Sequence, residues 1–245
     1  MKKSTYLTVL VVIFTLFSCK TIPINQEFQK IADRSYELGY IGTDKLTIIN
    51  TTFEVKSIPN LNSKIRVSAT IKPFTKLSFN GYLKALKLQG KKATLKYIDS
   101  LPIKPKHVTF ELLDKVTLIS ELNSIANKET FEYLKIDKDP KIITVVSGVF
   151  DSSLMNQLQI ADVIFLNQKA YKKYQIQLYK NQKLIGEFNL SDGTIFSYST
   201  NRFCWGTDTK HHLKLMNLIP KNNKCSKGTS ANYQTIKKEK YKLKF

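Results

Sequence analysis

From residue 46 onward apolar and polar positions alternate with a period of two, and β-branched and aromatic residues crowd the apolar positions. Segments 46–58 (LTIINTTFEVKSI), 64–74 (KIRVSATIKPF), 76–88 (KLSFNGYLKALKL), 92–98 (KATLKYI) and 107–113 (HVTFELL) read as strands, separated by Pro59-Asn60, Pro73, Gly90 and the prolines at 102 and 105. Ile65, Val67, Ala69 and Ile71 share one face, the mark of a half-buried strand in an antiparallel sheet. The run 142–150 (IITVVSGVF) is almost continuously apolar, as a strand covered on both faces would be. Segments 174–180 (YQIQLYK), 184–190 (LIGEFNL) and 194–199 (TIFSYS) keep their alternation across turns at Asn181-Gln182-Lys183 and Asp192-Gly193, which predicts a three-stranded meander. Its candidate core is Tyr174, Ile176 and Leu178 on the first strand and Leu184, Phe188 and Leu190 on the second.

Helical spacing is sparser. Residues 26–38 place Phe28, Ile31, Ala32 and Ser35 on one face ahead of Gly39, which predicts a short amphipathic helix packed on the following sheet; a membrane-surface helix is the rival reading. Residues 119–134 favour a helix, although VTLISEL at 116–122 also suits a strand. Asp151-Ser152-Ser153 is a capping signal ahead of a helix from Leu154. The fold class expected is α+β, predominantly antiparallel β in sandwich or meander sheets, with a few short helices.

The first twenty residues have a different pattern. Lys2 and Lys3 precede an apolar run, 6–17, too short to span the roughly 30 Å of a bilayer core, so it reads as a cleavable export signal. Leu16-Phe17-Ser18-Cys19 follows, and this resembles the lipobox of bacterial lipoproteins, with Phe17 bulkier than the family's usual residue there. The resemblance implies cleavage after Ser18, a diacylglyceryl group on the Cys19 sulfur and an acylated new terminus. Two or three acyl chains anchor a protein essentially permanently, whereas one does not. Lys20, rather than Asp, after the cysteine points within that family to the outer membrane, facing the periplasm. The expected layout is then a signal peptide over 1–18, a lipid tether and short helix over 19–43 and a β-rich unit over 44–113. A connecting, partly helical segment covers 114–140, and a second β-rich unit covers 141–245, with the meander and a basic C-terminal strand.

Charge changes this picture only modestly. A formal net charge of +20 raises nucleic acid as a partner, but among 39 basic residues only Arg34, Arg66 and Arg202 are arginine, the side chain that reads phosphate and base edges with a bidentate fork. An exported, anchored chain also rarely meets nucleic acid. The partners expected are the membrane, through lipidated Cys19, and anionic lipids or glycans met by lysine. Lys238, Lys240, Lys242 and Lys244 would line one face of an edge strand, with Tyr241, Leu243 and Phe245 on the other.

Candidate chemistry is thin. The chain has no G-x-S-x-G, S-x-x-K, H-E-x-x-H or C-x-x-C pattern and no glycine-rich phosphate loop. His211-His212, near Asp208, would point to opposite sides of a strand, and His107 stands alone, so neither a metal nor a cofactor is proposed. Three cysteines are an awkward number for an oxidising compartment. Lipidation of Cys19 leaves Cys204 and Cys225 to form a disulfide, which would stabilise the fold by roughly 3 kcal/mol on loop-closure entropy. Arg202 and Trp205, beside that bond, form a candidate binding surface, with packing of Trp205 into a small core as the plainer reading. The function expected is a lipid-anchored envelope protein with a non-catalytic structural or binding role. An envelope hydrolase acting on glycan or lipid, or a carrier of a hydrophobic ligand, are the alternatives.

Overall fold

The computed structural model describes residues 21–24, 27–46 and 51–242; the export run, the Leu16-to-Cys19 motif and Lys244 lie outside them. The described strands are β1 (Thr21–Ile24), β2 (Glu27–Ile31), β3 (Ile41–Leu46), β4 (Thr51–Ser57), β5 (Ile65–Pro73), β6 (Lys106–Leu112), β7 (Lys141–Val149), β8 (Val163–Ala170), β9 (Lys173–Lys180), β10 (Lys183–Phe188), β11 (Thr194–Thr207) and β12 (Leu213–Pro220). Their path through the sheet is β1-β2-β11-β7-β6-β5-β8-β9-β10, with β12 on β11 and the β3–β4 hairpin on β7. The pairings of β6 with β5 and with β7 join strands from both halves of the chain in one antiparallel sheet. Among the described residues five helices accompany it: α1 (Lys76–Leu88), α2 (Lys115–Leu122), α3 (Lys128–Ile136), α4 (Ser152–Ile160) and α5 (Tyr233–Lys242). The α+β, mainly antiparallel expectation holds.

Each face of the sheet has its own core. Val108, Phe110, Val146, Ile176 and Leu178 belong to the larger one. On the other side α1 lays Phe79, Tyr82, Ala85 and Leu86 against Phe74, Phe196 and the β1 residues Ile22 and Ile24. Each aromatic or leucine side chain buried this way contributes about 1.5–3 kcal/mol. A Cβ on Gly81 would come within 2.5 Å of Ile22 Cδ1, so the bare backbone there is what lets β1 approach the helix. Beneath α1 lies a row of buried hydroxyls. Ser147 and Ser197 both donate to Gln29 Oε1 at 2.8 Å, which leaves Thr109 to donate to Ser147, also at 2.8 Å.

Several sequence expectations are corrected. Residues 27–31 form β2, not a helix, because the pattern is inverted: Phe28 is 74% exposed while Gln29 is 1% exposed and anchored in the hydroxyl row. Segment 76–88 is α1, not a strand. Its buried positions, 78, 79, 81, 82, 85 and 86, recur with helical period, and Thr75 and Ser78 exchange side-chain bonds to each other's backbone N–H as a capping box. Segment 92–98 has no regular structure; Tyr97 stacks on Phe79 at 5.0 Å. The helix expected over 119–134 is divided into α2, a 3-10 turn and α3. At the break the Asn127 amide donates to the Asn60 and Glu121 carbonyls.

The meander keeps its first hairpin, β9–β10, but its third strand leaves to pair with β7. β8 supplies the other neighbour of β9. Leu184 is exposed, whereas Phe188 and Leu190 are buried as expected. At the C-terminus the expected edge strand is α5, because Tyr233 and Ile236, one turn apart, pack inward and Asn232 accepts the Gln234 N–H near its start. The backbone of residues 233–242 is helical, so the period-two alternation expected of a strand does not apply there.

Candidate functional site

A cavity of about 570 Å³ opens where β1–β2, the β3–β4 hairpin, the end of α1, residues 137–139 and Lys221 meet. Its charged centre is set by register. Lys141 begins β7 directly opposite Gly42 of β3, and Asp44, two residues along β3, faces the same way. The hairpin must sit close for this: a Cβ on Gly42 would lie 1.9 Å from the Glu54 carbonyl oxygen. Lys30 arrives from β2, where it is opposite Thr21 on one side and Tyr198 on the other.

Asp44 accepts from Lys30 at 2.5 Å through Oδ1 and from Lys141 at 2.7 Å through Oδ2, and Lys141 reaches Asp139 at 2.7 Å as well. Burial alone would raise the Asp44 carboxyl, but the bonds from Lys141 and Lys30 outweigh it and hold it below the usual carboxylate range. Burial would lower Lys141; bonds to Asp139 and Asp44 overcome that and keep it above the ordinary lysine value. Lys30 goes the other way. Burial pulls its ammonium down, Asp44 offsets this only in part, and Lys141 and Lys221 add repulsion. The site therefore has more cation than its own carboxylates neutralise.

Apolar surface frames this charge. Ile31, Leu46 and Leu88 line the cavity, with Leu46 81% exposed. A second hollow of about 410 Å³ adjoins it across Thr21, Lys30 and Lys221, with exposed Phe28 on its wall. Thr21, the first described residue, thus lies on the rim of both.

The residues singled out from sequence are elsewhere. Cys19 is outside the described residues. Cys204 and Cys225 are bonded, with Cα atoms 5.7 Å apart. Trp205 is not a binding surface: it is 1% exposed, between Phe131 and Tyr233, and its backbone exchanges two hydrogen bonds with Ser230. Arg202 is half-buried beside Lys141 across the β7–β11 pairing, and among the described residues its Nε has no hydrogen-bond partner. Lys238, Lys240 and Lys242 fall on α5, remote in sequence from every cavity residue. Asp208 accepts from the backbone of His212 and Lys210, in the loop that His211 enters with φ of 59°, and from Lys214 at the start of β12.

Lys30, Asp44, Lys141 and Lys221 were not singled out from the sequence. One signal was available: Lys141 directly precedes the apolar run 142–150, and a lysine at the head of a strand buried on both faces needs an ionic partner.

His107 lies outside the cavity, buried against Phe74 and Phe196, and its Nδ1 has no hydrogen-bond partner among the described residues. Burial, with Lys72 adding repulsion, lowers its pKa from 6.5 to about 4. The folded state then binds its proton less readily than the unfolded chain, so its neutral form leaves stability intact above pH 6.5 and stability falls as pH drops towards 4. The full cost is about 3 kcal/mol. Urea titrations between pH 7 and 4 should show this slope in the native chain and a flattened one in His107→Leu. The same slope in both would assign the acid sensitivity elsewhere.

No protein-family model, curated protein or solved structure matches the chain.

Proposed function

We propose that the protein is a lipid-anchored component of the cell envelope with a non-catalytic binding role, exercised by the cavity at the end of the body nearest Cys19. The observation that carries the reading is the position of Thr21. Two residues beyond the lipobox-like cysteine, it sits on the rim of both hollows, among exposed Phe28 and Leu46 and the lysines 30, 138 and 221. Apolar lips among lysines are what an anionic bilayer surface attracts.

Hydrolysis is the weaker reading. Asp44 and Asp139 both hold Lys141, and Asp44 is kept ionised by two lysines, whereas a general acid needs a raised pKa. A carrier for a wholly apolar ligand fits less well too, since lysines and aspartates share the wall with the aliphatics.

The test is intact mass and fractionation. The native chain should be found in membranes, shortened by residues 1–18 and heavier by its acyl groups, and Cys19→Ala should accumulate as precursor or soluble protein. An unmodified Cys19 in the membrane-bound form overturns the anchor.

A further inference from the structure

We infer that the cavity around Lys30, Lys141 and Lys221 binds the phosphate headgroup of an anionic lipid, with the start of an acyl chain laid along Ile31, Leu46 and Leu88. This deepens the membrane-facing reading above and rests on it.

The charge arrangement is unfinished. Asp44 is the one carboxylate shared by Lys30 and Lys141, and Lys141 divides itself between Asp44 and Asp139. The other two acids of the wall are engaged elsewhere. Asp33 accepts from the Tyr36 hydroxyl and lies 3.6 Å from Arg34, and Asp137 accepts from the Tyr133 hydroxyl and the Asp139 N–H. Among the described residues neither Lys138 nor Lys221 is ion-paired, although both line the cavity. Lys221 is also near enough to Lys30 to repel it. An anion placed among Lys30, Lys141 and Lys221 would relieve that repulsion, and Thr21 lies on the same wall.

Phosphate suits the positions because several lysine ammoniums can hold it as point charges converging on one group, without a planar fork. The aliphatic part of the wall argues against a free ion as the full occupant. Leu46 and Leu88 would otherwise present apolar surface to water beside a cationic centre, whereas a chain attached to the phosphate covers them. A cavity of about 570 Å³ holds a headgroup and a short stretch of chain. Its mouth adjoins Thr21, so a lipid in the leaflet that receives Cys19 could enter it without leaving the bilayer.

The test uses the full chain in phosphatidylcholine nanodiscs, titrated calorimetrically against empty discs with dihexanoyl phosphatidic acid, dihexanoyl phosphatidylcholine and inorganic phosphate. Phosphatidic acid should bind at least about tenfold more tightly than either of the others. Lys221→Gln, at an exposed position, should weaken phosphatidic acid by about tenfold with the melting temperature unchanged. Leu46→Ser should weaken phosphatidic acid but not phosphate. Binding should also fall as ionic strength rises. Equal affinity for phosphatidylcholine, or indifference to Lys221→Gln, overturns the site. Inorganic phosphate binding as tightly as phosphatidic acid overturns the lipid and leaves a soluble anion. Because the mass measurement above tests the anchor and these titrations test the cavity, either can fail while the other stands.

Discussion

Asp44→Asn is expected to lower folding stability by about 3 kcal/mol, since removing one member of a largely buried ionic group leaves the others uncompensated. The amide keeps the shape but not the charge that offsets Lys30 and Lys141, and the Lys141 side chain is only 4% exposed. Equilibrium urea unfolding at neutral pH measures this. Adding Lys141→Met to Asp44→Asn should recover part of the loss, because the stranded charge is then gone as well. The pH dependence has a definite sign. With its folded pKa depressed, Asp44 contributes fully above the ordinary carboxylate value of about 3.9, and the contribution is lost as pH falls below it. A loss under about 1 kcal/mol would put these pairs on a par with exposed surface ion pairs and end the description of the site as a desolvated ionic centre.

Trp205→Ala is expected to cost about 3–5 kcal/mol, the range for emptying a buried aromatic site. The indole lies edge-on to Phe131 at 5.4 Å and to Tyr233 at 5.0 Å, so its loss opens a void between β11, α3 and α5. The Cys204–Cys225 bond would still hold the loop before Ser230. Hydrogen exchange should therefore quicken over residues 230–242 while the sheet stays protected. Unchanged stability with a lost ligand would restore the binding-surface reading of Trp205.

How much of this was legible depended on whether local pattern and tertiary environment agreed. At β5, β6 and β7 they did, because alternation or a continuous apolar run matched one-sided or two-sided burial. At α4 the signal was a cap, and the Asp151 side chain does accept the Leu154 N–H at 2.8 Å. The disulfide followed from an export reading in which the lipobox-like motif takes one of three cysteines and leaves a pair, Cys204 and Cys225. The failures have physical causes. In β2 a glutamine points inward to buried serines and a phenylalanine points out, which inverts the pattern that periodicity reads. In α1, segment 76–88 has enough apolar residues to satisfy either period, and the Thr75–Ser78 cap decides it. The cavity was invisible because its charges come from β2, β3, β7 and the loop after β12. No local motif spans them, and only the β3–β7 register brings Asp44 to Lys141.

The β1–β2 hairpin also determines how the body would respond to being pulled. Thr21 pairs with Lys30, so the strand entering from Cys19 and the strand continuing into the body leave the hairpin at the same end. Tension between a membrane anchor and the body would act there in the peeling direction, opening the four pairs of β1 and β2 in succession instead of shearing them together. Resistance then falls to what fastens each strand sideways: Ile22 seated on Gly81 and Ile24 in the small core under α1 for the first, Gln29 held by Ser147 and Ser197 for the second. The helix acts as a clip, and β1 would give way before the rest of the sheet felt the load.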